Sequence, residues 1–145
     1  EKSFKEKVKN LSDLLTKRLN EIKAKHPNKI DIIKGNGILN GIIFKSYSSK
    51  MATLVEKIPV QVIKDKSFFL KKITATAISS ELFEKYNILS AINDSSFSNH
   101  LCVSPSLIIS HDDVNYFFKS LDEVLQGNLN LKALELMFKF VKSKL

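Results

Sequence analysis

Three residues in the second half of the chain, His100, Cys102 and His111, have side chains that could do chemistry. On a strand, His100 and Cys102 would lie on the same face, because they are two residues apart, and an imidazole there could activate the thiol as a nucleophile. A free cysteine, however, is among the most often buried residue types and usually packs without reacting. The spacing of the three residues also fits no standard zinc pattern. We therefore predict no catalytic residue and no metal ligand in this chain.

A second feature that could do chemistry is the glycine-rich stretch 32–44, in which Gly35, Gly37 and Gly41 separate β-branched runs. A phosphate-binding glycine loop must lead into a helix whose N-terminus faces the phosphate, whereas another β-rich run follows these glycines. Asn36-Gly37 between apolar runs instead predicts a β-hairpin. Gly41, inside the second strand, predicts either a bulge or a place where another backbone or a ligand comes close.

Helices are predicted wherever apolar residues recur three or four positions apart. The first covers 3–25 and is ended by Pro27, because the residue before a proline is disfavoured in the helical conformation. The other predicted helices and their signals are 67–86 capped by Ser67, 111–126 capped by Ser110 and ended by Gly127, and a last one from Asn130 with Leu134, Phe138, Val141 and Leu145 on one side.

Short strands are predicted between the helices, at 30–34, 38–45, 88–92 and 101–103, with a turn-rich loop over 93–99. Residues 47–52 are predicted to be a loop, and 54–63 could be an edge strand or no strand, because Pro59 cannot donate a backbone hydrogen bond. The predicted fold class is α+β, a small mainly antiparallel sheet flanked by helices. The chain is predicted to be a single domain, 1–145, divided into a leading helix (1–26), a hairpin (30–45), a helix plus strands (67–110) and C-terminal helices (111–145).

Composition limits the class of protein and its compartment. At 145 residues with 43% hydrophobic residues, the chain is long enough to bury a core, and it has no apolar run of the roughly 20 residues that span a bilayer. Its charged start does not resemble a signal peptide, and the first residue, Glu1, is not Met, which fits a fragment. A single cysteine cannot form an intrachain disulfide, so we expect a cytoplasmic protein that is not bound to a membrane.

The formal net charge of +8 raises the question of nucleic-acid binding. Its positive charges are lysines distributed along the whole chain and mixed with acidic residues, and Arg18 is the only arginine. No aromatic-basic motif of the kind that stacks on bases is present. We therefore interpret the charge as a solvated lysine-rich surface and do not expect a nucleic-acid partner.

The order of four segments resembles the C-terminal small domain of class III aminotransferases, which are fold type I pyridoxal-phosphate enzymes. The segments are a helix ending at His26-Pro27, the glycine hairpin, Tyr86-Asn87-Ile88-Leu89, and the run from Leu101 to Ser110; residues 47–67 lie outside the resemblance. The resemblance implies pyridoxal phosphate in the full-length protein, with the Schiff-base lysine, the acid partner of the pyridine nitrogen and the phosphate cradle all in a large domain upstream. It also implies that this fragment binds no cofactor and is inactive alone, that its partner is the missing large domain of the same enzyme, and that the enzyme is a homo-oligomer.

The resemblance singles out three substrate-side candidates: Cys102, Lys34 and Asn36. Cys102 takes the position of the family's arginine, whose planar guanidinium binds a substrate carboxylate through two hydrogen bonds. Lys34 matches the first basic residue of the glycine motif, and Asn36 replaces the second, which is usually arginine. Three explanations of the Cys102 position remain open: the substrate lacks that carboxylate, another residue supplies the charge, or the alignment is shifted by a residue.

Two other classes of function remain alternatives to the transaminase domain. One is a non-enzymatic α+β binding module for an acidic partner. The other is a basic nucleic-acid-binding domain, which would require a steep, phosphate-dependent salt dependence of binding.

Overall fold

The computed structural model describes residues 2–45, 49–59, 61–95 and 98–144. The described residues form five helices and four strands in a mixed order along the chain. The helices are α1 (Lys2–Lys25), α2 (Ser49–Glu56), α3 (Lys66–Tyr86), α4 (His111–Gln126) and α5 (Leu129–Lys142), and the strands are β1 (Ile30–Asn36), β2 (Leu39–Phe44), β3 (Ile92–Ser95) and β4 (Ser98–Val103).

The four strands form one sheet in the order β1-β2-β4-β3, and every neighbouring pair is antiparallel. Ile33, Ile42, Leu101 and Ile92 lie opposite one another across the four strands and form an apolar row. Ile42 and Leu101 are fully buried in this row, so this face of the sheet packs on the helices. The predicted α+β fold with a small antiparallel sheet flanked by helices is confirmed; that it constitutes a single domain stays a prediction.

Two apolar clusters stabilise the fold. In the larger one, Leu15 of α1, Ile78 of α3 and Leu121 of α4 pack with the core face of the sheet. The smaller cluster joins α2, the first half of α3 and α5 through the buried side chains of Val55, Ile63, Phe69, Ile73, Ala77, Ala133 and Met137. The helix α3 contributes to both clusters and therefore connects them.

The helix ends agree with the sequence at α4 and differ at α3. Ser110 accepts a hydrogen bond from the Asp113 backbone N–H at 3.0 Å, and Gly127 follows the last turn of α4, as predicted. Ser67 is not the cap of α3: Asp65 Oδ1 accepts from the Phe68 N–H at 2.8 Å, and the helix begins one residue before Ser67. A carboxylate there is a good N-cap acceptor for an otherwise unpaired N–H, so Ser67 lies inside the first turn.

The segment between α3 and α4 corrects two predictions. The predicted strand over 88–92 holds only at its last residue, because α3 ends at Asn87 in a left-handed conformation (φ 55°) and strand β3 begins at Ile92. The predicted loop over 93–99 is also wrong for its described part. Strands β3 and β4 pair there, with Asn93 opposite His100, because backbone pairing to β4 outweighs the turn-like polar composition; residues 96 and 97 lie outside the described residues.

The segment that follows the first hairpin is helical rather than extended. Helix α2 covers Ser49–Glu56, so the predicted loop is wrong at 49–52. Of the two alternatives left open for 54–63, the edge strand is wrong and the alternative without a strand holds for the described residues of that segment. The Pro59 carbonyl accepts backbone hydrogen bonds from Val62 and Ile63 at 2.9 and 3.2 Å, which makes this region a turn. Residues 46–48 and 60 lie outside the described residues.

Helix α5 buries one part of its apolar surface and exposes another. Met137 is 4% exposed and Ala133 is fully buried, whereas Phe138 is 65% exposed. Of the residues that the sequence places on one side of this helix, Leu134 and Val141 are half-buried, Phe138 is exposed, and Leu145 lies outside the described residues. Lys132, also buried, donates to Glu84 of α3 and so holds α5 in this rotation.

Candidate functional site

The side of the sheet opposite the core, here called the open face, is the candidate site. Residues directly opposite on antiparallel strands have their side chains on the same face, and Lys34 lies opposite Gly41, which lies opposite Cys102. Because the neighbouring row through Ile42 points into the core, this row points away from it. The paired residues of the open face include Ile32, Lys34, Asn36, Leu39, Gly41, Ile43, Asn93, His100 and Cys102.

The structure places all three predicted substrate-side residues on the open face. Lys34 and Asn36 are exposed on β1, and Cys102 is half-buried on β4. Two strand spacings, about 10 Å between backbones, separate Lys34 from Cys102. Asn36 has a local structural role as well, since its side-chain oxygen accepts from the Gly37 N–H at 2.8 Å in the hairpin turn, where Gly37 has φ 64°. That these residues contact a substrate stays a prediction.

His100 is a residue of the open face that the sequence did not identify as substrate-side. A Cβ atom added to Gly41 would lie 2.5 Å from His100 Cδ2 and 3.1 Å from Cγ. The imidazole ring therefore occupies the space that any larger residue at position 41 would need. Gly41 thus lies against a side chain, and that a ligand comes close there stays a prediction. The bulge alternative is wrong at Gly41, because the irregularity of this pairing lies between Ile30 and Ile32. Only the register of β2 on β4 reveals the contact.

An apolar cleft of about 540 Å³ lies beside β4, between the chain segment that follows α3 and the helix α4. Its lining includes Leu89, Pro105, Tyr116 and Phe117, together with Cys102 from the sheet. Tyr116 donates its hydroxyl to the Tyr86 carbonyl at 3.1 Å, which ties α4 to the end of α3 at the cleft's rim. Leu89 at this rim is 87% exposed, so the cleft is bordered by apolar surface that faces water.

The other sequence candidates for chemistry are not assembled into a site. His111 begins α4, whereas His100 and Cys102 lie on β4. Over residues 2–45, 49–59, 61–95 and 98–144, no group of three or more His, Cys, Asp or Glu side chains is placed to hold a metal ion. No described helix has both the length and the apolar character needed to cross a membrane.

The lysines of the described structure can be tested against the role of a Schiff-base lysine, which must react as a neutral amine. Lys132 is buried, but its ammonium donates to both oxygens of Glu84 at 2.7 and 2.6 Å and to Glu135 at 3.2 Å. The Glu84 hydrogen bond raises the pKa of Lys132 above its ordinary value despite the opposing effect of burial, so this lysine stays protonated. Lys34 is exposed on the open face. Lys132 therefore does not fit the role of holding pyridoxal phosphate.

Comparison with known proteins places this fold among the aminotransferases. No family model matches the chain. Over 85 residues, or 59% of its length, the chain is 31% identical to the mitochondrial acetylornithine aminotransferase of Saccharomyces cerevisiae, and the match covers 20% of that enzyme.

Solved structures give the same result for the fold. A transaminase from the marine bacterium Virgibacillus matches 93% of the chain with a TM-score of 0.60 and 18% identity, over 26% of its own length. A Bacillus anthracis aminotransferase matches 86% of the chain with a TM-score of 0.56 and 20% identity, over 24% of its own length. The chain thus spans about a fifth to a quarter of the length of these relatives. These matches confirm the resemblance to the C-terminal small domain of class III, pyridoxal-phosphate-dependent aminotransferases.

Proposed function

We propose that this chain is the small domain of a pyridoxal-phosphate-dependent aminotransferase that moves an amino group from an amino donor to a carbonyl acceptor. The observation that carries the proposal is the 31% identity to a curated acetylornithine aminotransferase over 59% of the chain. The fold similarity, which extends over 93% of the chain in one transaminase, supports the same assignment.

In this proposal the chain supplies one wall of the active site rather than the catalytic groups. When bound, pyridoxal phosphate would supply the electron sink for the reaction, and residues outside this chain would hold it, as the resemblance implies. The open face would border the substrate, with Lys34, Cys102 and Asn36 on its side. The chain by itself would then be inactive.

The partners and compartment belong to the same proposal. The first partner would be the large domain of the same enzyme, and the intact protein would be a homo-oligomer, as the resemblance implies. The cytoplasmic location expected from the sequence stays a prediction, and the yeast relative carries the word mitochondrial in its name.

The proposal can be tested by comparing this chain with the longer protein encoded by the same gene. Both would be purified, incubated with pyridoxal phosphate and dialysed, and the visible absorption of retained cofactor would be measured together with amino transfer from a panel of amino donors. We expect retention and transfer in the longer protein and neither in this chain. A longer protein without any retained cofactor, or a chain that transaminates by itself, would refute the proposal.

A further inference from the structure

We infer that an apolar pocket between α3 and α5 binds a small aliphatic carboxylic acid, with the chain of the acid against phenylalanine rings and its carboxylate at Lys64. The pocket measures about 360 Å³, within the range of about 300–1,000 Å³ typical of small-molecule sites. It lies at the smaller apolar cluster, and its lining residues 62–65 are outside the resemblance to the aminotransferases. This site is separate from the open face, so the inference goes beyond the proposed function and does not depend on it.

Aromatic and aliphatic side chains from both helices form the walls of the pocket. Phe68 and Phe69 of α3 and Phe140 of α5 line it, and the rings of Phe69 and Phe140 pack with their centroids 5.2 Å apart at an angle of 43°. Ile73, between the same helices, is 5% exposed. Removing apolar surface of this kind from water is favourable, so the walls favour a hydrocarbon group.

Two polar side chains in the lining are hydrogen-bonded within α3. The Thr76 hydroxyl donates to the Lys72 carbonyl at 2.9 Å, and Asp65 Oδ1 accepts from the Phe68 N–H at 2.8 Å. These bonds complete the helix and do not require a partner from a ligand. A molecule with an apolar body therefore fits the pocket better than one that needs many hydrogen bonds.

The turn before α3 closes one side of the pocket and is anchored to the fold. Ile63 in this turn is 4% exposed, and its N–H and that of Val62 donate to the Pro59 carbonyl at 3.2 and 2.9 Å. A site bordered by anchored elements requires little ordering of the chain when a ligand enters, which favours affinity.

The charges at the pocket favour a single anionic headgroup. Lys64 and Lys72 both line the pocket, and Asp65 is the one acidic residue among its described lining residues. A singly charged carboxylate complements this excess of one positive charge. Lys64 is exposed, so a carboxylate beside it keeps contact with water and avoids the high cost of burying a charge.

The test titrates the full chain at low ionic strength with octanoate and with 1-octanol, an uncharged molecule with a chain of the same length. The side-chain resonances of Ile73, Leu136 and Phe140 would be followed by nuclear magnetic resonance. We expect saturable shifts with both probes and tighter binding of octanoate. Octanoate should also bind more tightly than hexanoate, because each further buried CH₂ strengthens binding about fourfold.

Lys64→Met should weaken octanoate binding about tenfold, since it removes a charge-assisted hydrogen bond, and should leave 1-octanol binding unchanged. Lys71→Met is the matched control, because Lys71 is an exposed lysine of α3 that does not line the pocket. It should leave the binding of both probes unchanged. Thr76→Leu places a larger apolar side chain in the pocket and should block both probes in a chain whose spectrum shows that it is folded.

Three results would overturn the inference: equal weakening of octanoate binding by Lys64→Met and Lys71→Met, 1-octanol binding as tightly as octanoate, or no saturable shift at the pocket residues over the millimolar range. Undiminished octanoate binding by a folded Thr76→Leu variant would place the ligand elsewhere and would overturn it as well. Retention of pyridoxal phosphate by the longer protein tests the proposed function alone, so the two failures are distinguishable.

Discussion

Gly41 and His100 make a contact of single residues that can be measured through stability. Gly41→Ala should destabilise the chain by about 1–3 kcal/mol, the usual cost of forcing an extra methyl into a packed site, because its Cβ would meet the His100 ring at 2.5 Å. In a His100→Ala background, Gly41→Ala should leave the free energy of unfolding unchanged, because the imidazole ring is absent. Urea denaturation of the two single variants and the double variant gives the coupling.

The backbone conformation of Gly41 does not by itself explain a cost of the Gly41→Ala change. Positive φ values among the described glycines occur at Gly35 and Gly37 but not at Gly41, so alanine at 41 is not strained by its own conformation. An equal cost of Gly41→Ala with and without the His100 ring would mean that the ring is not what the glycine accommodates.

Asp122 makes the stability of the fold depend on pH in the acidic range. Its burial raises the pKa, but hydrogen bonds from Lys25 and from His26, whose Nε2 is 2.6 Å from Oδ1, outweigh this and hold the pKa below the ordinary carboxyl value. A carboxyl whose native pKa is depressed stabilises the native state above its unfolded pKa of about 4, and this contribution is lost as pH falls towards the native pKa.

Asp122→Asn should therefore lower the free energy of unfolding at pH 6 and have a smaller effect at pH 3. Urea denaturation of both proteins across this range measures the difference. Glu21→Gln, at an exposed carboxylate paired with Arg18 at 2.9 Å, is the comparison, because exposed pairs contribute little. If the difference in the free energy of unfolding between wild type and Asp122→Asn stays constant from pH 6 to pH 3, the pKa of Asp122 is not lowered in the native state.

At the scale of elements, the sequence predicts those whose signals are local and misses those that depend on packing. Helix α1 and helix α4 follow from the three-four spacing of their apolar residues, and Ser110 caps α4 as its residue type indicates. The β3–β4 hairpin was missed because its polar residues look like a loop until β4 provides the backbone partners. For the open face, the resemblance identified Lys34 and Cys102, but only the strand register brings in His100.

The sequence of helix α5 does not by itself determine which face of the helix is buried. Its apolar residues extend around much of the helix, so two different stripes satisfy helical spacing. The choice depends on tertiary contacts: Ala133 and Met137 are buried in the smaller cluster, and the ion pair of Lys132 with Glu84 joins α5 to α3.

Two adjacent residues of α5 test this rotation. Met137→Ala should lower the free energy of unfolding by about 2–5 kcal/mol, because it opens a cavity in the smaller cluster. Phe138→Ala should change it by no more than about 0.5 kcal/mol. The first residue is 4% and the second 65% exposed. Chemical denaturation of both variants gives the comparison, and a larger cost for Phe138→Ala would mean that α5 is packed on its other face.

At the scale of the whole molecule, the fold leaves apolar side chains in water near the cleft beside β4. Leu89 at its rim is 87% exposed, and Ile108, next to the lining residue Ile109, is 93% exposed. Large exposed apolar patches are uncommon on proteins that act as monomers and mark surfaces that another surface covers. Under the proposed function, the rest of the enzyme covers this one.

The chain by itself should therefore self-associate, and its net charge determines how the association responds to salt. Copies that each carry +8 repel one another, and salt screens this repulsion while leaving apolar contacts in place. Light scattering should thus show a mass that rises with protein concentration and rises further between low salt and about 0.5 M, where the Debye length is only a few ångström. The double change Leu89→Ser with Ile108→Ser should reduce the association, whereas Leu131→Ser, at a leucine of α5 that is 68% exposed, should not. A chain that stays strictly monomeric at both salt concentrations would show that this apolar surface is stable in water. That result would count against the proposal that a large domain packs on it.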